Sequence, residues 1–139
     1  MTNMIQQEVK EFRNELGDLY YRCTVTDKYV YQDWYGDFLT LEDVIEGSTW
    51  GLDMCEKYHF QMVNNNSKLR GSWDHANDWI ANVWLPRALS IDLTKLAHVV
   101  SPDVFTTSSA EEMRQNLGGR LEMRFFPDFA SAEAWILEG

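Results

Sequence analysis

Apolar residues recur at helical spacing at the start of the chain. Ile5, Val9, Phe12 and Leu16 lie four, three and four positions apart, and Gly17 can end the run. This predicts an amphipathic helix over residues 1–17. Its polar face mixes Glu8, Lys10, Glu11, Arg13 and Glu15, so it suits packing on a domain rather than on an anionic membrane. Two runs rich in aromatic and β-branched residues follow, Leu19 to Thr26 and Tyr29 to Tyr35, and these predict strands. Asp27-Lys28 between them can close a tight hairpin, and Gly36-Asp37 ends the pair.

The pattern then returns to the helical period. Thr40-Leu41-Glu42-Asp43 resembles a capping box with Asp in place of Glu. Leu41, Ile45, Leu52 and Cys55 trace one face to about Tyr58. Gly47, Ser48 and Gly51 lie near or on that face. Gly costs about 1 kcal/mol in a helix interior, so these small residues predict a close approach to a sheet. Phe60 to Val63 is a short strand candidate, and the polar run Asn64 to Gly71 reads as a loop. Asp74 can cap the next helix, with Ala76, Trp79, Ile80, Val83 and Trp84 as its apolar stripe. Pro86 predicts a kink or a break near Leu85.

Leu96 to Val100 is nearly continuously apolar, as a buried parallel strand would be, and Ser101-Pro102-Asp103 ends it. Ser108 and Ser109 each have a Glu three residues on, which predicts a helix start. Ala110, Met113 and Leu117 face inward there, and Gly118-Gly119 stop the helix. Leu121, Met123 and Phe125 alternate with Glu122 and Arg124, the mark of a half-exposed strand. Asp128 can cap a final helix whose buried line is Ala130, Ala134 and Leu137. A hairpin followed by alternating helix and strand predicts an α/β fold. Its single mixed sheet has four or five strands, the later ones parallel. The domain spans 18–139, and the helix of residues 1–17 packs on it.

Composition narrows the function classes. A chain of 139 residues fits one domain and buries roughly 68–70% of its unfolded surface. Six Trp, six Tyr and seven Phe argue against disorder. The net charge of -10, from 22 acidic and 12 basic residues, disfavours nucleic acid and anionic membranes. The charge is uneven. Residues 40–58 hold five acids against one base, whereas 59–74 hold two bases against one acid. The amino terminus has neither the basic start nor the apolar run of a signal peptide. No stretch approaches the ~18 apolar residues of a membrane span. The expected location is cytoplasmic, with Cys23 and Cys55 as buried reduced thiols. There the Asn65-Asn66-Ser67 glycosylation pattern has no meaning.

Three stretches, in order, carry a resemblance. The first is Trp34-Tyr35-Gly36 followed by Thr40-Leu41-Glu42-Asp43. The second is Trp79 and Ile80, then Trp84-Leu85-Pro86-Arg87-Ala88, then Leu96-Ala97-His98-Val99-Val100. The third is Phe125-Phe126-Pro127-Asp128 with Ala134-Trp135-Ile136-Leu137. Together they resemble the small bacterial STAS-like domains, related in fold to anti-sigma-factor antagonists. The resemblance implies a four- or five-stranded sheet with helices packed on it, and non-catalytic binding of a protein or small ligand. In the antagonists a Ser near a helix start is phosphorylated and switches partner binding. The corresponding region here, Asn64 to Trp73, offers Ser67 and Ser72, without the short Asp-Ser motif and in a longer loop.

Candidate chemistry is sparse. Cys55 and His59 lie four apart, but a metal site needs three or four ligands, and His75 and His98 are remote in sequence. No metal and no cofactor are expected. His98, inside an apolar strand, reads as a core histidine with its ring hydrogen-bonded. Cys23 in a strand and Cys55 on an inward helix face lack an activating base. No GxSxG, P-loop or GxGxxG motif occurs. Trp79 and Trp84 diverge by about 140° on an ideal helix, so one can face the sheet while another faces a groove or partner. The reading is a non-enzymatic, regulatory binding module that uses Asn65, Ser67, Arg70, Ser72, Trp73, Trp79 and Trp84. Its partner is a protein, a second copy in a homodimer, or a small apolar ligand or lipid held between helices and sheet. The low acidity of this region suits an acidic or phosphorylated partner.

Overall fold

The computed structural model describes residues 6–138. Its sheet has six strands: β1 (Gln6–Arg13), β2 (Leu19–Thr26), β3 (Val30–Gly36), β4 (Met62–Leu69), β5 (Lys95–Val99) and β6 (Glu122–Phe126). Their order in the sheet is their order in the chain. β1, β2 and β3 pair antiparallel, and β3 to β6 pair parallel. Helix α1 (Leu41–Tyr58) joins β3 to β4, α2 (residues 74–90) joins β4 to β5, and α3 (Val104–Leu117) joins β5 to β6. Helix α4 (Phe129–Ile136) follows β6. The fold is α/β with one mixed sheet, as the alternation predicts.

Parallel strands that always step to the same side place their connecting helices on one face. The larger core lies there: Met62 and Leu96 of the sheet meet Leu52 and Cys55 of α1, Ile80 and Trp84 of α2, and Met113 of α3. The alternate strand positions Val63, Ala97 and Val99 turn to the other face and pack under Ala132, Trp135 and Ile136 of α4.

The chain start departs from its sequence pattern. Residues 6–13 form β1, not a helix, and the sheet therefore has six strands rather than four or five. Ile5, the first residue of the helical stripe, lies outside the described residues. The rest of that stripe is not buried together, since Val9 is 51% and Leu16 87% exposed. Phe12 alone of the three packs on the core, beside Tyr20, Tyr21 and Trp50. A short helix depends on tertiary burial of its apolar face. Here the edge of β2 offers a backbone ladder instead, regular from Glu8 to Phe12, together with the cross-strand pair of Arg22 and Glu11 at 2.8 Å.

Asn64 to Leu69 belong to β4 rather than to a loop. Asn is a poor strand former, but β4 is flanked on both sides by partner strands. Helix α2 neither breaks nor ends at Pro86. It opens with a 3₁₀ turn over Asp74–Ala76, widens into a π turn over Ile80–Trp84 and closes as α-helix over Leu85–Ser90. The wide turn just before Pro86 accommodates the ring and its missing N–H. Asp74 does not cap this helix; its own N–H donates to Ser72 Oγ at 3.2 Å.

Helix α3 begins earlier than its Ser-Glu spacing predicts. Asp103 Oδ1 accepts from the N–H groups of Phe105 and Thr106 at 2.9 and 3.1 Å, so Ser108 and Ser109 lie inside the helix. In α4 the buried line is Ala132, Trp135 and Ile136, and Ala130, Ala134 and Leu137 are exposed. The larger side chains take the sheet-facing side because they bury more apolar area there.

The remaining caps follow the sequence. Thr40 and Asp43 exchange both bonds of the capping box at 3.1 Å. Gly118 ends α3 at φ 60°, and Asp128 caps α4. No described helix is long and apolar enough to cross a membrane.

Candidate functional site

A row of polar side chains crosses the sheet on the face beneath α1–α3. Cys23 of β2 is the register partner of Gln32 in β3, Gln32 of Asn64 in β4, and Asn64 of His98 in β5. The directions of its hydrogen bonds follow from one donor that cannot reverse. Trp34 Nε1–H donates to Asn64 Oδ1 at 2.7 Å, and an indole has no acceptor. Asn64 Oδ1 also accepts from Gln32 Nε2 at 3.1 Å, which leaves Gln32 Oε1 to accept from Tyr21 O–H at 2.6 Å. The Asn64 Nδ2 group therefore faces His98 Nδ1, 3.2 Å away, and donates to it. His98 Nδ1 is then the acceptor, and Nε2 carries the proton. That N–H is buried with no partner among the described residues. Complete burial disfavours the charged ring and lowers the His98 pKa to about 3.

Helix α1 is shaped to this row. A Cβ at Gly51 would lie 2.0 Å from Gln32 Oε1, and one at Gly47 would lie 2.6 Å from the Trp34 ring. The expected close approach of helix and sheet at these glycines is present.

Between the same sheet face and α1 and α2 lies a cavity of about 40 Å³. Its walls combine Trp34, Trp73 and Trp84 with Leu39, Val44 and Met62, and its polar edge is Gln32, Ser48, Asn64 and Asn66. A volume of about 10–15 Å³ holds one water by this measure, so the space suits a group of about three heavy atoms. No charged side chain lines it among the described residues. Asn66 lies two residues after Asn64 and so reaches the same wall, and a bulge follows that returns Leu69 to it. Between the pairs Asp33–Asn65 and Tyr35–Lys68, β4 has one more residue than β3. Asn66 Nδ2 and Trp73 Nε1 are both buried without a partner among the described residues.

The residues singled out by sequence are divided by this geometry. Trp73 and Trp84 line the cavity and are buried. Trp79 is half-buried against the core. Asn65 points to the opposite face, where its Nδ2 donates to Tyr31 O–H at 2.8 Å. Ser67 and Arg70 are exposed, away from the cavity. Ser72 is half-buried, with its Oγ 3.1 Å from Ser109 Oγ. Sequence reasoning missed Gln32, Asn64 and Asn66. For Gln32 the signal is a polar residue at an inward step of a strand rich in aromatic and β-branched residues, whereas the Asn run of β4 reads locally as loop.

The thiols hold no activated nucleophile. Burial pushes Cys23 up to about 12 and raises Cys55 as well. His59 is the exposed left-handed cap of α1 at φ 59°, with Cys55 buried behind it. Among the described residues no three His, Cys, Asp or Glu side chains are grouped to hold a metal ion. Comparison of the chain with protein-family models, with curated proteins and with solved structures gives no match.

Proposed function

We propose that the chain is a non-enzymatic binding module of the STAS-like type, which holds a small, largely apolar molecule between its helices and sheet. The observation that carries this reading is the uncharged cavity under α1 and α2, walled by three tryptophans and edged by an ordered amide network. Ligand sites are commonly apolar hollows with a few fixed polar groups. A single mixed sheet with helices packed on it is the coarse layout that the resemblance implies, here with six strands in place of four or five. Both thiols are buried and raised in pKa, which favours binding over nucleophilic chemistry.

Native mass spectrometry of freshly purified protein tests the reading. The expected result is a retained mass that is lost on denaturation. A bare mass, with no small molecule able to perturb the indole signals of Trp34, Trp73 or Trp84, overturns it. A protein partner is the second reading, favoured by Phe38, Val104 and Phe105, which are exposed large apolar side chains. A stoichiometric co-purifying protein with no retained small molecule selects that alternative. A regulatory phosphate would act on Ser67, which is exposed, rather than on Ser72, which is engaged with Ser109.

A further inference from the structure

Strand β1 has eight residues and a neighbour, β2, on one side only. The outward N–H and C=O groups of its backbone have no partner among the described residues. Such a row is a template for a further strand. The opposite edge, β6, has five residues, and a very short edge is one device that blunts pairing.

Side chains select what pairs with β1. Glu8 and Lys10 stand opposite Val25 and Cys23 of the larger core, so they lie on the α1 face of the sheet, and Val9 lies on the other. Lys10 Nζ rests over the rings of Phe12 and Trp50 at 5.4 and 5.2 Å, with no carboxylate beside it among the described residues. Glu8 receives Lys57 Nζ, at 2.6 Å, and Tyr58 O–H on the same oxygen, Oε2; its Oε1 has no partner among the described residues. Val9 is 51% exposed.

A cation without an anion and a carboxylate with a free oxygen, two residues apart on one face, are complementary to their own copies. In a two-fold antiparallel pair the opposed side chains share a face. One residue therefore meets its own copy on the axis, and its neighbours on either side meet each other. The ladder of β1 is regular only from Glu8 to Phe12. Glu8, Lys10 or Glu11 on the axis would set like charges together. Phe12 on the axis would carry the pairing into the bulge at Arg13. Val9 on the axis sets Glu8 of each copy against Lys10 of the other, and apolar Val9 against itself. Lys10 blunts the edge against most strands and admits this one.

We propose that β1 is the docking edge for a second copy of this chain, paired antiparallel about Val9 so that two six-stranded sheets become one. The surface is separate from the cavity, and the inference goes beyond the ligand-binding reading without resting on it.

Sedimentation equilibrium of the full chain reads the association, and charge exchange reads the register. About 0.15 M salt screens the net charge of each copy beyond about 8 Å. The expected result is a reversible monomer–dimer equilibrium. Lys10→Glu should weaken it by at least about tenfold, because two attractive pairs become repulsive. Glu8→Lys should do the same. An equimolar mixture of the two variants should associate again, since each then meets the opposite charge at both positions. With Cys23 and Cys55 buried, oxidised Val9→Cys should give a covalent dimer. Lys10→Cys should not, because its two copies stand more than about 7 Å apart in this register. A native chain that stays monomeric at about 1 mM overturns the proposal. So does a dimer unaffected by Lys10→Glu, a mixture no stronger than its components, or the absence of a covalent Val9→Cys dimer. If Glu8→Lys does not fold, since it also loses Lys57 and Tyr58, Lys10→Glu and the two cysteine variants decide.

Discussion

Asn64 and His98 are register partners on adjacent parallel strands, and Asn64 Nδ2 donates to His98 Nδ1 across 3.2 Å. This one bond settles the state of a fully buried histidine. The Asn64 oxygen is held by Trp34, so its amide cannot turn to accept from the ring. The ring stays neutral, with its proton on the nitrogen that faces away from Asn64.

The neutral state of His98 predicts acid sensitivity. Its folded pKa, about 3, lies below the ordinary value of 6.5. The unfolded chain therefore binds a proton that the folded chain does not. His98 destabilises nothing above pH 6.5, and stability falls as pH drops from there toward 3. The slope is about 1.4 kcal/mol per pH unit for one proton. Urea titrations at pH 6 and pH 5 measure it. His98→Gln should lose most of this slope in that interval; an unchanged slope would show that His98 is not its source.

Removing the hub of the row should cost more than removing a surface residue. Asn64→Leu leaves the N–H groups of Trp34 and Gln32 without their acceptor, and His98 without its donor. At about 1–3 kcal/mol for each buried group left unpaired, the loss should exceed about 3 kcal/mol. Trp34→Phe removes one donor to an oxygen that keeps Gln32, and part of a buried ring, so it should cost about 2 kcal/mol, less than Asn64→Leu. Chemical denaturation of both variants checks the order.

Gly51→Ala and Gly47→Ala should reverse the usual helix preference. In an exposed helix interior the change gains about 1 kcal/mol. Here the added methyl meets Gln32 Oε1 at 2.0 Å or the Trp34 ring at 2.6 Å. Overpacking of this kind costs about 1–3 kcal/mol. Lower midpoints for both variants, with exposed Glu46→Ala as the control, are the expected outcome.

The buried thiols should be silent until the chain opens. Cys23 and Cys55 are buried and free, and burial raises both pKa values. Labelling with a thiol reagent should be slow in buffer and rapid in urea, rising with the unfolded fraction. A thiol that labels at the rate of free cysteine under native conditions would place it outside the core.

Period and punctuation were enough to determine much of this fold. Thr40 with Asp43, Gly118 and Asp128 act locally, through bonds to backbone within one turn, and so they can be read from neighbours in the chain. The alternation of helix and strand after the hairpin likewise follows from local patterns. Three things required the assembled molecule. The stripe of Val9, Phe12 and Leu16 fits a helix, but the free edge of β2 takes Val9 and Phe12 as a strand and leaves Leu16 in the turn that follows. The Asn64–Asn66 run fits a loop, but strands on both sides pair with Asn64 and Asn65 and the row supplies amide partners for Asn64. The cavity joins Gln32 and Trp34 to Asn66, Trp73 and Trp84. These residues come from separate elements, and neither hydrogen-bond direction nor an unpaired N–H exists until those elements meet. Local chemistry determined the caps of α1 and α4, the stop of α3 and the alternation after the hairpin, whereas the competition among long-range partners decided what the chain start and the polar residues of β4 became.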